Sequence, residues 1–194
     1  MCNQSSLRMV NMNDNSAAPG SLEQVRTFLN TWSIPNDTRV PVDELRDLIA
    51  RSERWTSALP DVPPPTTGGA SGEIEQLFEL RSQLRAALGE THPTSLGAVL
   101  DRHRWRVELA PVGRAPGVRI VPEVPTTAGA LLTAVVEAVS AGTWYRLRAC
   151  PDCGWVFYDS SRNARRTWCS MTAAGGARGC GSIAKTRAYR ARHR

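Results

Sequence analysis

Four of the five cysteines in this 194-residue chain lie between positions 150 and 180. Two residues separate Cys150 from Cys153, fifteen more lead to Cys169, and a further ten lead to Cys180. A Cys-x2-Cys turn directs two thiolates at one ion, and a second pair from further along the chain completes a tetrahedral site. The spacing therefore predicts a structural zinc ion bound by Cys150, Cys153, Cys169 and Cys180.

Alternatives to this ligand set remain open. An even cluster of cysteines also suits disulfides, although a reducing compartment and the Cys-x2-Cys turn favour metal. The interval of ten residues before Cys180 is longer than the usual two or four, so His193 is an alternative fourth ligand. A degenerate finger that no longer binds metal is the third reading.

Charge is unevenly distributed along the chain. From residue 143 onwards there are 11 Lys and Arg against two Asp, a net charge of +9, which leaves −3 for the rest of a chain whose total is +6. No acidic residue follows Asp159. A concentrated basic end is typical of proteins that bind a polyanion, most often nucleic acid. The alternative is a solvated basic tail that aids solubility.

Hydropathy and the residues at the start of the chain argue against membrane and secretory classes. No apolar run approaches the ~20 residues needed to span a bilayer. The first residues lack the basic-then-apolar layout of a secretory signal. We expect no membrane partner and a cytoplasmic protein, associated with the nucleoid when it binds DNA.

Apolar periodicity predicts a helix-rich first part. Ser21 is the expected N-cap of a helix that runs through Trp32. A second helix is expected between Pro41 and Pro60, and a proline- and glycine-rich loop should follow up to Gly72. The next helix is predicted over 72–88, and a shorter one begins near Thr94.

After these helices the spacing of apolar residues changes from a helical period to alternation. Trp105, Val107 and Leu109 alternate with charged residues, which predicts a half-buried strand. Residues 113–117 should form a turn to a returning strand over 118–121. Residues 127–141 are apolar nearly all round and are expected to form the buried central helix. The predicted fold class is α+β, a helix-rich N-terminal domain with a short β-hairpin, followed by a small zinc module.

The body contains no pattern of a catalytic site. His92 and His103 are single histidines without partner motifs, and there is neither a glycine-rich phosphate loop nor a nucleophile elbow. We therefore expect a protein that is not an enzyme.

Short motifs around the cysteines resemble a known family. They are Cys150-Pro151-x-Cys153, the run from Phe157 through Asp159, Ser161 and Asn163 to Arg165-Arg166, and Trp168-Cys169-Ser170-Met171. This pattern resembles the CGNR zinc-finger family, and Phe28-Leu29-Asn30-Thr31 with the helical body resembles the ABATE domain that accompanies it. The resemblance implies a stress-induced transcription regulator with a treble-clef-like finger.

The resemblance also sets the expected domain boundaries and partners. Residues 1–18 are rich in Asn, Ser and Met without apolar periodicity and are expected to be a disordered leader. The resemblance implies an ABATE-like α+β domain over 19–142 and a zinc finger with a basic C-terminal helix over 143–194. The partner would be double-stranded DNA, and the ABATE-like domain would sense a small-molecule effector or mediate homodimerisation.

The fourth ligand departs from the family pattern. An insertion over residues 174–179 precedes Cys180, and Ser182 and Ile183 stand where the family has Asn and Arg. Lengthening this loop costs only ~1 kcal/mol of closure free energy, against the ~10–16 kcal/mol apparent for structural zinc. Cys180 therefore remains the expected fourth ligand, while the loss of Asn and Arg weakens the expectation of sequence-specific DNA binding.

Basic residues of the finger and its last helix are the candidate phosphate contacts. The competing hypothesis is a protein-interaction or RNA-binding module without sequence-specific DNA recognition. The predicted contact residues are Arg162, Arg165, Arg166, Lys185, Arg187, Arg190, Arg192 and Arg194.

Overall fold

The computed structural model describes residues 17–66, 72–112, 115–171 and 179–193. The leader up to residue 16, most of the insertion (174–178) and Arg194 therefore lie outside the described residues. Two positions of the predicted 113–117 turn lie outside them as well.

Seven α-helices and three two-stranded antiparallel sheets make up the described residues. The helices are α1 (Leu22–Leu29), α2 (Leu45–Ile49), α3 (Ser52–Ala58), α4 (Gly72–Ala86), α5 (Gly97–Leu100), α6 (Thr127–Ser140) and α7 (Cys180–Arg192). The strands pair as β1 (Trp32–Ser33) with β2 (Val42–Asp43), β3 (Trp105–Val112) with β4 (Ala115–Pro122), and β5 (Leu147–Ala149) with β6 (Val156–Tyr158). The predicted α+β class is thus confirmed.

Several element boundaries differ from the sequence prediction. The first helix ends at Leu29, and Trp32 belongs to β1. The single helix expected between Pro41 and Pro60 is strand β2 followed by two short helices. Ser21 is the N-cap residue of α1 as predicted, but its side chain makes no capping bond and instead donates to the Glu137 carboxylate at 2.8 Å. Pairing of β1 with β2 overrides local helix propensity at Trp32 and at Val42.

One apolar core joins the first part of the chain to the sheet that carries the cysteines. Phe28 of α1, Trp55 of α3 and Leu77 of α4 are fully buried together with Leu131 of α6. Leu147 of β5 and Val156 of β6 belong to the same core. The cysteine-bearing hairpin is therefore packed on the helical body, and the predicted domain boundary at residue 143 stays a prediction.

The expected central helix α6 is buried along most of its length. Thr126 caps it by accepting a hydrogen bond from the Gly129 backbone nitrogen at 3.0 Å. Leu131 and Val135 are fully buried, whereas Val139 is 40% exposed, so the helix keeps a solvent-facing side near its end. No helix among the described residues is long and apolar enough to cross a membrane.

Candidate metal centre

Strands β5 and β6 hold the first two cysteines in a tight turn. The Cys150 backbone nitrogen donates to Trp155 O at 2.9 Å, and the Gly154 nitrogen donates to Cys150 O at 2.8 Å. Gly154 has φ +69°, and a Cβ there would meet Trp32 at 2.4 Å, so only glycine fits. We call residues 150–155 the zinc knuckle. Residues 144–146 form a 3-10 turn that leads into β5.

The first turn of α7 presents Cys180 to the knuckle. Gly181 donates its backbone N–H to Ser170 O at 2.9 Å, and a Cβ at this position would meet the Met171 sulphur at 2.2 Å. The Ser182 hydroxyl donates to Met171 O at 2.6 Å. Close packing against the segment after Cys169 therefore fixes the start of α7.

The four predicted ligands meet at one point. The Sγ atoms of Cys150, Cys153, Cys169 and Cys180 lie within 4.8 Å of one another, and all four residues are buried. Cys169 Sγ lies 3.5 Å from Cys153 Sγ and 3.6 Å from Cys180 Sγ. Zinc–sulphur bonds of ~2.3 Å in a tetrahedron place sulphurs about 3.8 Å apart, close to both distances. The cysteines are free thiols, so the disulfide alternative is not adopted.

The thiols compete for protons at this spacing. Hydrogen bonding from the neighbouring thiols, that of Cys153 above all, lowers the pKa of Cys150. The bond to Cys150 in turn raises the pKa of Cys153 and of Cys169. The bond to Cys150 raises the pKa of Cys180, but the bonds from Cys153 and Cys169 outweigh it and that pKa is lowered. A divalent cation bound among these four thiols would release their protons and hold four thiolates. The donor set fits zinc, with no open position for a substrate.

His193, the alternative ligand, is not part of this cluster. It is the C-cap residue of α7, and its ring stacks on Tyr189 with centroids 4.3 Å apart. Among the described residues, the four cysteines therefore meet at one site, and His193 is not part of it.

An apolar shell surrounds the sulphurs. Phe157 is fully buried beside the cysteines, and Trp155 and Trp168 pack against them. Arg166 braces the third ligand, since its Nε donates to Trp168 O at 2.9 Å and another guanidinium nitrogen donates to Cys169 O. Its guanidinium also lies over the Phe157 ring at 4.9 Å. Excluding water strengthens sulphur–metal electrostatics.

Asp159 organises the loop between β6 and Cys169. Its side chain accepts hydrogen bonds from the Ser161 nitrogen at 2.9 Å and from the Arg166 nitrogen at 2.7 Å. Burial raises the pKa of Asp159, but hydrogen bonds from Ser161 and Arg166 outweigh it and hold that pKa below its usual range. Arg146 and Arg148 donate to carbonyls of the same loop.

The helical body supplies contacts to the finger that the sequence did not reveal. Asn36 Nδ2 lies 3.2 Å from Cys180 Sγ, and the Ile34 nitrogen donates to Cys153 O at 2.8 Å. Asn30 both donates to Val156 O and accepts from its nitrogen, at 2.9 and 2.7 Å. More than 100 positions separate the partners of these side-chain bonds, so no sequence spacing signals them.

Two arginines of the body also contact the knuckle. Arg85 donates to Gly154 O at 2.6 Å and lies over the Trp32 ring at 4.6 Å. Burial, with a smaller contribution from Arg81, lowers the pKa of Arg85 to about 10, so it stays protonated at neutral pH. Arg39 pairs with Asp152 at 3.1 Å.

The predicted phosphate contacts occupy different environments. Arg162 and Arg165 are exposed on the loop before Cys169, whereas Arg166 is half-buried in the finger. On α7, Lys185, Arg190 and Arg192 are exposed, and Arg187 is 69% exposed although it lies 3.5 Å from Asp152. The described residues thus place an exposed cationic helix directly after the fourth ligand.

Comparison with known proteins agrees with the geometry. A family model described as CGNR zinc finger matches residues 146–193. The chain carries a CGNR zinc finger. Its four-cysteine cluster is the structural zinc site of that finger. No curated protein matches the sequence. The matched range begins in the 3-10 turn before β5 and includes all of α7.

Proposed function

We propose that this protein is a transcription regulator that binds double-stranded DNA through its C-terminal CGNR finger. The observation that carries the proposal is α7, whose first turn holds a zinc ligand and whose remaining length is exposed and cationic. Only Cys180 and Gly181 of the helix are buried. Its charged side chains are Lys185, Arg187, Arg190 and Arg192, and no acidic residue follows Asp159.

The anchoring of α7 favours a nucleic-acid role over a solvated tail. The zinc centre fixes the helix at Cys180, and the contacts of Gly181 and Ser182 hold its first turn. A rigid helix presents its cations at set distances along a polyanion, whereas a flexible tail loses conformational entropy on binding. Arg162 and Arg165 would add phosphate contacts from the neighbouring loop, and Arg166 would chiefly brace the finger.

We also propose that residues 19–142 form an ABATE-like regulatory domain. Support comes from its α+β composition and from its direct contacts with the finger, to the zinc knuckle through Ile34 and Arg85 and to Cys180 through Asn36. A ligand that displaced the segment around Ile34 and Asn36 would change the surroundings of Cys153 and Cys180. The body would then regulate the finger without touching DNA.

Fluorescence anisotropy with a labelled duplex at increasing salt tests the DNA proposal. Each phosphate contact contributes about −0.9 to the slope of log K against log salt. The double variant Lys185→Gln with Arg190→Gln should therefore reduce that slope by nearly 2 and weaken binding uniformly across sequences. Arg102→Gln with Arg104→Gln removes the same charge from the exposed body surface and is the matched control.

The outcome separates the two function classes. Full-length zinc-loaded protein that binds no duplex at low salt contradicts the proposal. Binding of duplex RNA or single-stranded RNA in preference to DNA would support the RNA-binding alternative. An equal loss of affinity in the body control would show that net charge, not α7, determines binding.

A further inference from the structure

The β3–β4 hairpin leaves an apolar face in water. Alternation along β3 predicts that Val107 and Leu109 are buried, yet they are 68% and 89% exposed. Their cross-strand partners Ile120 and Val118 are 40% and 58% exposed. Directly opposed residues of an antiparallel pair lie on the same side of the sheet. These four side chains therefore form one surface, which we call the hairpin face.

The opposite side of the hairpin turns toward the helical body. Arg119 Nε pairs with the Glu137 carboxylate on α6 at 2.9 Å, and Glu108 lies directly opposite Arg119 in the ladder. Arg106, Glu108 and Arg119 line the cleft between the hairpin and α6. The charged side is thus held against the body by an ion pair. This orientation leaves the aliphatic side outside, the reverse of an ordinary half-buried hairpin.

The base of the hairpin is anchored on the body. Trp105 packs against the core and donates its indole N–H to Leu100 O at 2.9 Å. At the other strand end Pro122 packs on α6, where a Cβ at position 129 would lie 2.6 Å from its ring. Trp105 pairs with Pro122 two positions before the Val107–Ile120 pair, so both anchors lie on the same side as the hairpin face. That side therefore packs on the body only at the base of the hairpin and is exposed beyond it.

We propose that the hairpin face is the contact surface of a homodimer, covered by the hairpin face of a second copy. At the stated exposures its four side chains present on the order of 400 Å², within the roughly 300–600 Å² of the largest apolar patch on a typical monomer, which is often functional. The face carries no charged side chain. Two copies related by a two-fold axis would therefore meet aliphatic against aliphatic, without burying a charge.

The size of the face sets the expected strength of the dimer. Two facing patches would remove about 800 Å² from water, and a stable interface needs at least about 1,200 Å². The adjoining strand backbone must supply the remainder, so the dimer should be weak and concentration-dependent. If the finger binds DNA as proposed above, dimerisation also places two α7 helices on one duplex and raises apparent affinity. Only this consequence, not the dimer, rests on the proposed function.

Sedimentation velocity of the full-length, zinc-loaded protein over a hundredfold concentration range, from about 2 µM, tests the proposal. The wild type should shift from monomer to dimer. Leu109→Glu and Leu109→Lys should each remain monomeric, because the two copies would then bring like charges together across the two-fold axis of the dimer. An equimolar mixture of the two variants should recover the dimer, since opposite charges then face each other. Val40→Glu, at an exposed valine outside the hairpin, is the matched control.

Several results would overturn the proposal. The first is a monomeric wild type at every concentration, and the second is a mixture of the two Leu109 variants that stays monomeric while the wild type dimerises. Binding of the monomeric wild type to vesicles of zwitterionic lipid, lost in both Leu109 variants, would instead assign the face to a membrane surface. Equal zinc content and equal melting temperatures confirm that the variants are folded. Dimerisation without duplex binding would contradict the proposed function and leave the dimer intact.

Discussion

At the scale of single residues, a few polar side chains fix the finger by satisfying backbone groups. Asp159 and Arg166 do so inside the finger, and Asn30 does so from the body. A buried backbone N–H without a partner costs about 1–3 kcal/mol, so each of these side chains matters more than its surface charge suggests. Their identities are visible in the sequence, but their partners are not.

Asp159→Asn should destabilise the protein by about 1–3 kcal/mol, because an amide has one acceptor oxygen and its NH2 group cannot accept, so the bonds from Ser161 and Arg166 to the two carboxylate oxygens cannot both remain. Asp159 has a lowered pKa in the fold. The carboxylate therefore contributes to the free energy of unfolding above the unfolded-state pKa of about 3.9. This contribution is lost as pH falls through the lower pKa of the folded state. Urea unfolding should show a constant difference from the wild type between about pH 6 and pH 8.

Asp101→Asn is the control for that measurement, because Asp101 is exposed on the body. Its effect should stay within about 0.5 kcal/mol. A difference between wild type and Asp159→Asn that vanished at neutral pH would show that the carboxylate does not stabilise the loop.

At the scale of elements, the zinc knuckle and the first turn of α7 depend on each other. Each is short, and neither buries enough apolar surface to be stable alone. The metal supplies the missing free energy, and Gly154 and Gly181 allow the close approaches that bring the sulphurs together. A long loop between Cys169 and Cys180 is compatible with this arrangement because closure entropy rises slowly with length.

Cys180→Ala should lower zinc content from one ion per chain to well below one in the presence of a competing chelator. Three cysteines leave the fourth position to water and weaken the site. Elemental analysis after dialysis measures the effect, with Cys2→Ala as a control outside the cluster. Unchanged zinc retention in Cys180→Ala would refute the fourth ligand. Zinc should also be released as pH falls, since protons compete for the thiolates.

At the scale of the whole molecule, the body and the finger share one apolar core. They are also joined by a set of polar contacts, which we call the seam. Leu147 and Val156 belong to the core of the helical body. The seam includes Asn30, Ile34 and Arg85 on the body side. These contacts fix the knuckle relative to the body, so the metal centre and the helices should not unfold independently.

Removal of zinc should therefore destabilise the body as well as the finger. Loss of the seam leaves several backbone and side-chain groups unpaired, and a cost of about 3 kcal/mol lowers the melting temperature by roughly 6–12 °C for a chain of this size. Circular dichroism at the helical minimum, with and without chelator, measures the shift, and added zinc should reverse it. Helices that melt at the same temperature without zinc would show that the two parts are independent.

The sequence by itself determined the ligand set, the α+β class and the position of the basic helix. Ligand spacing and charge are local properties that a chain displays directly. Trp32 in β1 and the split second helix needed the tertiary structure, because strand pairing overrides local periodicity.

Only the tertiary structure decided the contacts between distant segments. Asn36 beside Cys180 and Asn30 on Val156 arise from packing between residues far apart in sequence. The hairpin shows the same limit, since alternation correctly predicts two faces but not which of them turns inward. The ion pair between Arg119 and Glu137 settles that orientation beyond the base of the hairpin. A pattern along one segment specifies a face, and only the rest of the fold specifies what covers it.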